Sequence, residues 1–293
     1  MENSSDILKQ VRRIEIKTRG LSNDVFAGKY HSAFKGRGMA FSEVREYQIG
    51  DDVRDIDWNV TARSRKPHIK IFEEERELTM MLLVDVSGSR MFGTTSKLKK
   101  NMITEIAAVL AFSAAQNNDK VGCIFFSDRV EKFIPPKKGK AHVLMIIKEL
   151  ISFKPESKGT NLSEGLRYLT NILKKRSTAF ILSDFMDTEE GKTRFEDAMK
   201  IASGKHDLVG IRIYDRREEA LPDVGAIRMK DAETGEEVWV DTASRAVRNA
   251  YARHWEQTNA LIDTSLKRCR VDSVMIATGE DYVASLIKLF KRR

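Results

Sequence analysis

Cysteine, histidine and long apolar runs are all scarce in this chain, and each shortage excludes a class of protein. Cys123 and Cys269 are its only cysteines. They stand far apart inside apolar patterns without zinc-ligand spacing, so both are expected to be reduced core residues of a cytosolic protein. The five histidines form no HExxH or paired arrangement, which removes the common zinc-hydrolase pattern. There is no GxSxG elbow and no GxxxxGKS/T phosphate loop, so the chain is not expected to hydrolyse ATP by itself. No apolar run approaches the roughly 20 residues of a membrane helix. The opening stretch MENSSDILKQVRRIEIK is polar and has no apolar core of a signal peptide, so neither leader nor anchor is expected. Internal repeats and low-complexity segments are absent.

What is present describes a globular chain long enough to bury a substantial core, with 41% hydrophobic and 32% charged residues over 293 positions. A formal net charge of +8 raises the question of a nucleic-acid partner. The basic residues are scattered among acids, and the densest points, SKLKK, PPKKGK and KLFKRR, are short and lack interleaved aromatics. They read as solvated helix faces, with Lys291-Arg292-Arg293 favourable at a helix C-terminus. No nucleic-acid partner is expected.

From residue 79 onward, apolar runs alternate with amphipathic stretches. TMMLLV (79–84), VGCIFF (121–126), AFIL (179–182), LVGIRIY (208–214) and SVMIA (273–277) are nearly continuous apolar runs. Strands covered on both faces have this character. Helices are predicted over 96–116 (capped within Thr94 to Ser96), 141–153, 162–174, 244–268 and 283–290. The third opens on Asn161 with Glu164 three places on, a capping-box-like start. Repeated strand–helix–strand crossovers give an α/β fold with a doubly wound, mostly parallel sheet. VEKFIPP (130–136) is expected as an antiparallel edge strand. AIRMKDAETGEEVWV (226–240) reads as a hairpin insertion around Thr234-Gly235. Residues 79–293 thus form the main domain.

Residues 1–78 differ. A short amphipathic helix near 6–17 leads into a segment where glycines, charges and single aromatics alternate, read as a small β-rich annex. Within it, GDDVRDIDW holds four acids without calcium-loop spacing. Arg54 inside the run suggests internal ion pairs, with Trp58 buried. FEEERE (72–77) enters the first strand of the sheet at its amino end, away from any site at the carboxyl end.

In an open α/β sheet, ligands bind beyond the carboxyl ends of the strands, where strand order reverses. LLVDVSGSRMFG (82–93) puts Asp85, Ser87 and Ser89 at that end of the first strand. SKGTNLSEG places Thr160 in a loop entering a helix, and AFILSDFMD ends a second buried strand at Ser183-Asp184. Asp85, Ser87, Ser89, Thr160 and Asp184 form an all-oxygen set suited to a hard divalent cation, Mg²⁺ first and Mn²⁺ second. Only two of the five are carboxylates, so a bound ion would remain able to take a further anionic oxygen. Ser127-Asp128 ends another strand on the same side and reads as a turn.

This order of motifs resembles the metal-ion-dependent adhesion site of von Willebrand factor A domains: Asp-x-Ser-x-Ser, then Thr, then Asp. The resemblance implies that Ser87, Ser89 and Thr160 coordinate directly or through water, and that Asp85 and Asp184 often act through water. Many members of that family have glycine after the last aspartate, where this chain has Phe185, which is expected to reshape the rim. The annex, with Arg45-x-Tyr47, Gly50-Asp51-Asp52, Arg54-x-Ile56-Asp57-Trp58 and Ala62-Arg63, resembles domain-of-unknown-function family 58. Members of that family commonly accompany MoxR-type AAA+ ATPases and are thought to act as their adaptors or co-chaperones in protein maturation. The resemblance therefore implies a non-enzymatic, cytoplasmic protein-binding module, with an AAA+ ATPase partner and a client that offers an Asp or Glu to the metal. A metal-dependent hydrolase using the same site is the alternative. It is disfavoured because no general base is evident and none of the three motif loops contains histidine.

Overall fold

The structure, a computed structural model, describes residues 9, 11–15, 40–73, 78–91, 98–231 and 235–293, with only the backbone given at 40–42, 71–73 and 91. Two compact units result, Phe34–Leu78 and a larger one of Met1–Ala33 with Thr79–Arg293.

In the smaller unit, strand β1 (Ala40–Glu46) pairs antiparallel with β2 (His68–Glu73). Between them lie a 3-10 turn (Val53–Asp55) and helix α1 (Trp58–Ser64). The described part of the unit thus combines a two-stranded sheet with a turn and a short helix. Its acids are used locally. Asp52 accepts from the Arg54 amide at 2.9 Å, and Asp57 caps α1 by accepting from the Asn59 and Val60 amides at 3.0 and 3.2 Å. Asp51 takes a bidentate pair from Arg45, both contacts 2.8 Å, rather than pairing with Arg54. Trp58 is 69% exposed, against the expectation of burial. The cap explains the inversion: Asp57 must turn inward to reach the amides of the first turn, which leaves its neighbour at the first helical position facing out. Of the FEEERE run, residues 74–77 lie outside the described residues.

In the larger unit, residues 11–15 are helical, and Glu15 pairs with Lys140 at 2.5 Å. The sheet comprises β3 (Thr79–Asp85), β4 (Lys120–Phe126), β5 (Val130–Lys137), β6 (Thr178–Ser183), β9 (Asp207–Tyr214) and β12 (Asp272–Ala277). The numbering passes over the two-residue strands β7 (Thr188–Glu189) and β8 (Lys192–Thr193) and the hairpin strands β10 (Ala226–Lys230) and β11 (Glu237–Asp241). The order is β12-β9-β6-β3-β4-β5, parallel throughout except for β5, which pairs antiparallel at the edge. From β3 the chain moves outward to β4 and β5. It then returns past β3 to β6 and winds outward the other way. The fold is therefore α/β, doubly wound, with its switch point at the carboxyl ends of β3 and β6.

Alternation along the strands feeds two cores. Met81, Leu83, Ile124, Phe126, Ala179 and Ile181 form one core with helices α4 (Leu162–Ile172), α5 (Glu196–Lys205) and α7 (Arg245–Arg268). Their neighbours Met80, Leu82, Val84, Phe125 and Phe180 are also fully buried and face the other way. On that side lie α2 (Lys99–Gln116), α3 (Lys140–Ser152) and α8 (Tyr282–Lys291), with Phe125 edge-on to Phe153 at 4.8 Å and Phe180 edge-on to Phe290 at 6.0 Å. A four-residue helix, α6 (Arg216–Glu219), follows β9.

Two helix starts depart from expectation. Helix α2 begins at Lys99, and Leu98 before it makes no side-chain cap bond; Thr94 to Ser96 lie outside the described residues. Asn161 precedes α4 but gives it no side-chain cap. Instead Asp187, a residue 25 positions away, accepts from the Leu162 amide at 2.9 Å. A carboxylate supplied across the fold satisfies the amide of the first helical residue, while the Asn161 amide, which a capping box would have paired with Glu164, donates to the Ser127 carbonyl. The expected hairpin is present, β10 pairing with β11 from Ala226↔Asp241 to Lys230↔Glu237. Gly235 beside its turn has φ 77°, while Thr234 lies outside the described residues.

Close packing leaves one strand position no room for a side chain. A Cβ on Gly122 would lie 2.6 Å from Met81 Sδ and 3.0 Å from the Ile134 carbonyl oxygen of the edge strand. The β4–β5 register shifts at this point, between Val121 and Cys123. Gly122→Ala is expected to destabilise the fold by about 1–3 kcal/mol through forced displacement, measured by urea denaturation. An unchanged midpoint would mean that the sheet has slack there.

Candidate metal centre

The carboxyl end of β3 is held by backbone ties before any ligand is considered. The Val86 amide donates to the Phe126 carbonyl at 2.8 Å and the Gly88 amide to Lys158 at 2.9 Å; the Asn161 amide donates to Ser127 at 2.8 Å. These bonds strap the segments after β3 and β4 to the loop 158–161 and bring Thr160, itself buried, to the same edge. Ser127 is a turn residue, as expected, and its hydroxyl donates to Glu131 at 2.8 Å.

On this frame the side chains converge. Asp85 is buried and accepts from the Ser87 amide at 2.9 Å and from the Ser183 hydroxyl at 2.6 Å. Ser87 Oγ and Ser89 Oγ stand 3.1 Å apart. Asp184 Oδ1 accepts from the Met186 amide at 3.1 Å. Asp85, Ser87 and Ser89 are thus linked in one chain of contacts, and Asp184, next to the Ser183 that bonds Asp85, lies close enough for its charge to act on Asp85, with Thr160 at the same sheet edge. Phe185 has φ 61°, in the left-handed region where glycine is unstrained. Its ring is fully buried and edge-on to Phe195 at 5.8 Å. The Phe185 side chain is thus a core residue rather than a rim residue.

Several charged residues of this edge escape a sequence reading. Lys99 is only 1% exposed and places Nζ 3.1 Å from Asp184 Oδ2 and 2.5 Å from Glu218 Oε1. It lies in SKLKK, expected to be a solvated face. The missed signal is its position three and four residues before Met102 and Ile103, on the buried stripe of α2. Arg90, also buried, donates to the Phe153 carbonyl at 2.8 Å. Arg212, on β9, pairs with Asp263 at 2.6 Å and is felt by Asp184. Ser183, which ties β6 to Asp85, also accepts from the Phe185 amide at 3.0 Å.

Burial, followed by the charge of Asp184, pushes the Asp85 carboxyl from an ordinary 3.8 up to about 6, against the bonds from Ser183 and Ser87. Burial acts in the same direction on Asp184, but the Lys99 ammonium, the Met186 amide and the Ser89 hydroxyl outweigh it and hold that carboxyl below its usual range. Burial works against the charge on Lys99, and its two carboxylates more than offset this. The edge therefore holds one carboxylate in contact with an internal ammonium and one, Asp85, that has only a longer-range attraction to the buried Arg90 guanidinium.

The donor set fits a divalent cation. Adjacent oxygens around an octahedral Mg²⁺ lie about 3 Å apart, the separation found between the Ser87 and Ser89 hydroxyls. Among the described residues no three His, Cys, Asp or Glu side chains gather into a metal cluster, so an ion here would depend on hydroxyl ligands beside Asp85 and Asp184.

The profile of the family described as "Protein of unknown function DUF58" matches residues 43–260. The chain belongs to this family. This DUF58 protein is 27% identical over 287 residues to an uncharacterized protein of Mycobacterium bovis, covering 97% of this chain and 88% of the other. An uncharacterized protein of Mycobacterium avium is 24% identical over 135 residues, covering 45% of this chain and 76% of the other. Similar solved structures include BatB from Bacteroides thetaiotaomicron, with 14% identity and a TM-score of 0.49 over 73% of this chain and 98% of that one. A von Willebrand factor type A structure from Catenulispora acidiphila has 12% identity and a TM-score of 0.41, covering 76% and 43%. Mussel-byssus proximal thread matrix protein 1, with a zinc-occupied MIDAS motif, has 17% identity and a TM-score of 0.37, covering 47% and 38%. Among the described residues of this DUF58 protein, no helix is long and apolar enough to cross a membrane.

The raised Asp85 carboxyl makes a pH-dependent prediction for the metal-free protein. A carboxyl raised on folding contributes stability below its unfolded value, near 3.8, and that contribution is lost as pH rises through about 6. Asp85→Asn removes the buried charge. In EDTA at pH 7.5 the variant is expected to be more stable than the parent by up to about 3 kcal/mol, with most of the gain gone at pH 4. Urea denaturation at both pH values measures it, and an equal effect at both would contradict the assignment.

Proposed function

We propose that this chain is a non-enzymatic protein-binding module that works through a divalent cation, Mg²⁺ by the hardness of its oxygen donors, held by Asp85, Ser87, Ser89, Thr160 and Asp184. The observation that carries the reading is the meeting of two buried carboxylates and two hydroxyls 3.1 Å apart at the switch point of a doubly wound sheet. With hydroxyls outnumbering carboxylates, the ion keeps an appetite for one more anionic oxygen, and an Asp or Glu on another protein supplies it. The chain's own residues position the donors: Ser183 and the Ser87 amide orient Asp85, and the Met186 amide orients Asp184.

The partner in this reading is a MoxR-type AAA+ ATPase, with the module acting as its adaptor or co-chaperone on a client protein. Support comes from the family membership together with the absence of a phosphate loop in this chain. Two buried free thiols, Cys123 and Cys269, support a cytoplasmic location.

Immobilised protein, incubated with the purified ATPase and 5 mM-scale Mg²⁺, is expected to capture it. Capture should fall by about tenfold or more with EDTA and with Asp85→Ala, as loss of a charge-assisted contact would produce. Capture that persists undiminished under both treatments removes the metal from the mechanism.

A further inference from the structure

The buried lysine at the edge of the proposed metal centre is not needed to hold an ion, and its placement works against one. Lys99 Nζ sits 3.1 Å from Asp184 Oδ2, the oxygen not engaged by the Met186 amide. It is nearly inaccessible, so water screens its charge little. The same ammonium lies 2.5 Å from Glu218 Oε1. Glu218 is itself fixed: Oε2 accepts from the Asp215 amide at 2.9 Å, completing a capping box at the start of α6. Asp215 is in turn buried and accepts from the Thr278 hydroxyl at 2.7 Å. Lys99 is thus shared between a carboxylate of the centre and a carboxylate outside it.

We infer that Lys99 is a built-in competitor of the cation for Asp184, and that Glu218 sets how strongly it competes. The inference rests on the metal-binding reading above and concerns the regulation of that site. With no ion present, the ammonium neutralises Asp184 and makes its burial tolerable. An ion drawing on the same carboxylate must share it with a fixed positive charge, and Glu218 holds that charge partly away. The consequence is a site that binds its ion weakly alone. An incoming carboxylate would supply the missing negative charge, so ion and acidic partner favour each other's binding.

Two variants of the full chain test this with opposite signs. Lys99→Met keeps the length of the side chain and removes the competing charge. Glu218→Gln removes the charge that draws the ammonium away, leaving Lys99 to Asp184. Titration calorimetry with Mn²⁺ alone, at pH 7.5 and without any partner, should show Lys99→Met binding about tenfold tighter than the parent. Glu218→Gln should bind about tenfold weaker, one unit of log affinity for a charge change within hydrogen-bond distance of a ligand group. If Lys99 merely props up the fold or orients Asp184, Lys99→Met binds no tighter, and that result overturns the inference. Unchanged or tighter binding by Glu218→Gln overturns it as well. Circular dichroism checks that each variant folds; should Lys99→Met fail to fold, the sign of the Glu218→Gln change decides alone. Parent protein showing no Mn²⁺ heat that Asp85→Ala abolishes would instead remove the metal reading, and this inference with it.

Discussion

The hydrogen bond from the Ser183 hydroxyl to Asp85, 2.6 Å long and buried, joins residues 98 positions apart. It locks together the carboxyl ends of two adjacent parallel strands at the point where the chain leaves them in opposite directions. Everything at the candidate centre is referred to that junction. The turn that carries Ser87 and Ser89 starts from Asp85, and Asp184 follows Ser183 directly. The straps from the Lys158 and Ser127 carbonyls then hold the threonine loop to the same edge.

That junction also sets the electrostatics. A switch point is a crevice, and here it is floored by two apolar cores, so any charge placed in it loses water. Asp85 and Asp184 are both buried, yet their carboxyls move in opposite directions because only Asp184 has an ammonium against it. An all-oxygen donor set of this kind suits a hard cation. The arrangement differs from a carboxylate cage, in which charge on the ligands would saturate the ion and leave it nothing to recognise.

The elements were legible where periodicity carries the information. Continuous apolar runs marked the strands, buried along β3, β4, β6 and β9 but half-exposed in β12, which lies at the sheet edge; the antiparallel edge strand and the hairpin followed from alternation and turn residues. The reading broke where a side chain's role is decided by a distant partner. Asn161 looked like the cap of α4, but Asp187 supplies it. Trp58 looked like a core residue of the annex, but Asp57 takes the inward position because the helix start needs its carboxylate. The SKLKK run looked uniformly solvated, although the helical repeat of α2 places Lys99 on the inner stripe.

Hydrophobic periodicity and the polar stops that end it are local properties of the chain, so the layered α/β architecture and the five oxygen-bearing positions at strand and helix ends can be read from residue order. Which charges meet at that edge is settled only when the strands assemble. Lys99 finds Asp184 across 85 residues and Glu218 from yet another crossover. Such pairings have no periodic trace, since a buried charge is stabilised by whatever opposite charge the fold brings within reach.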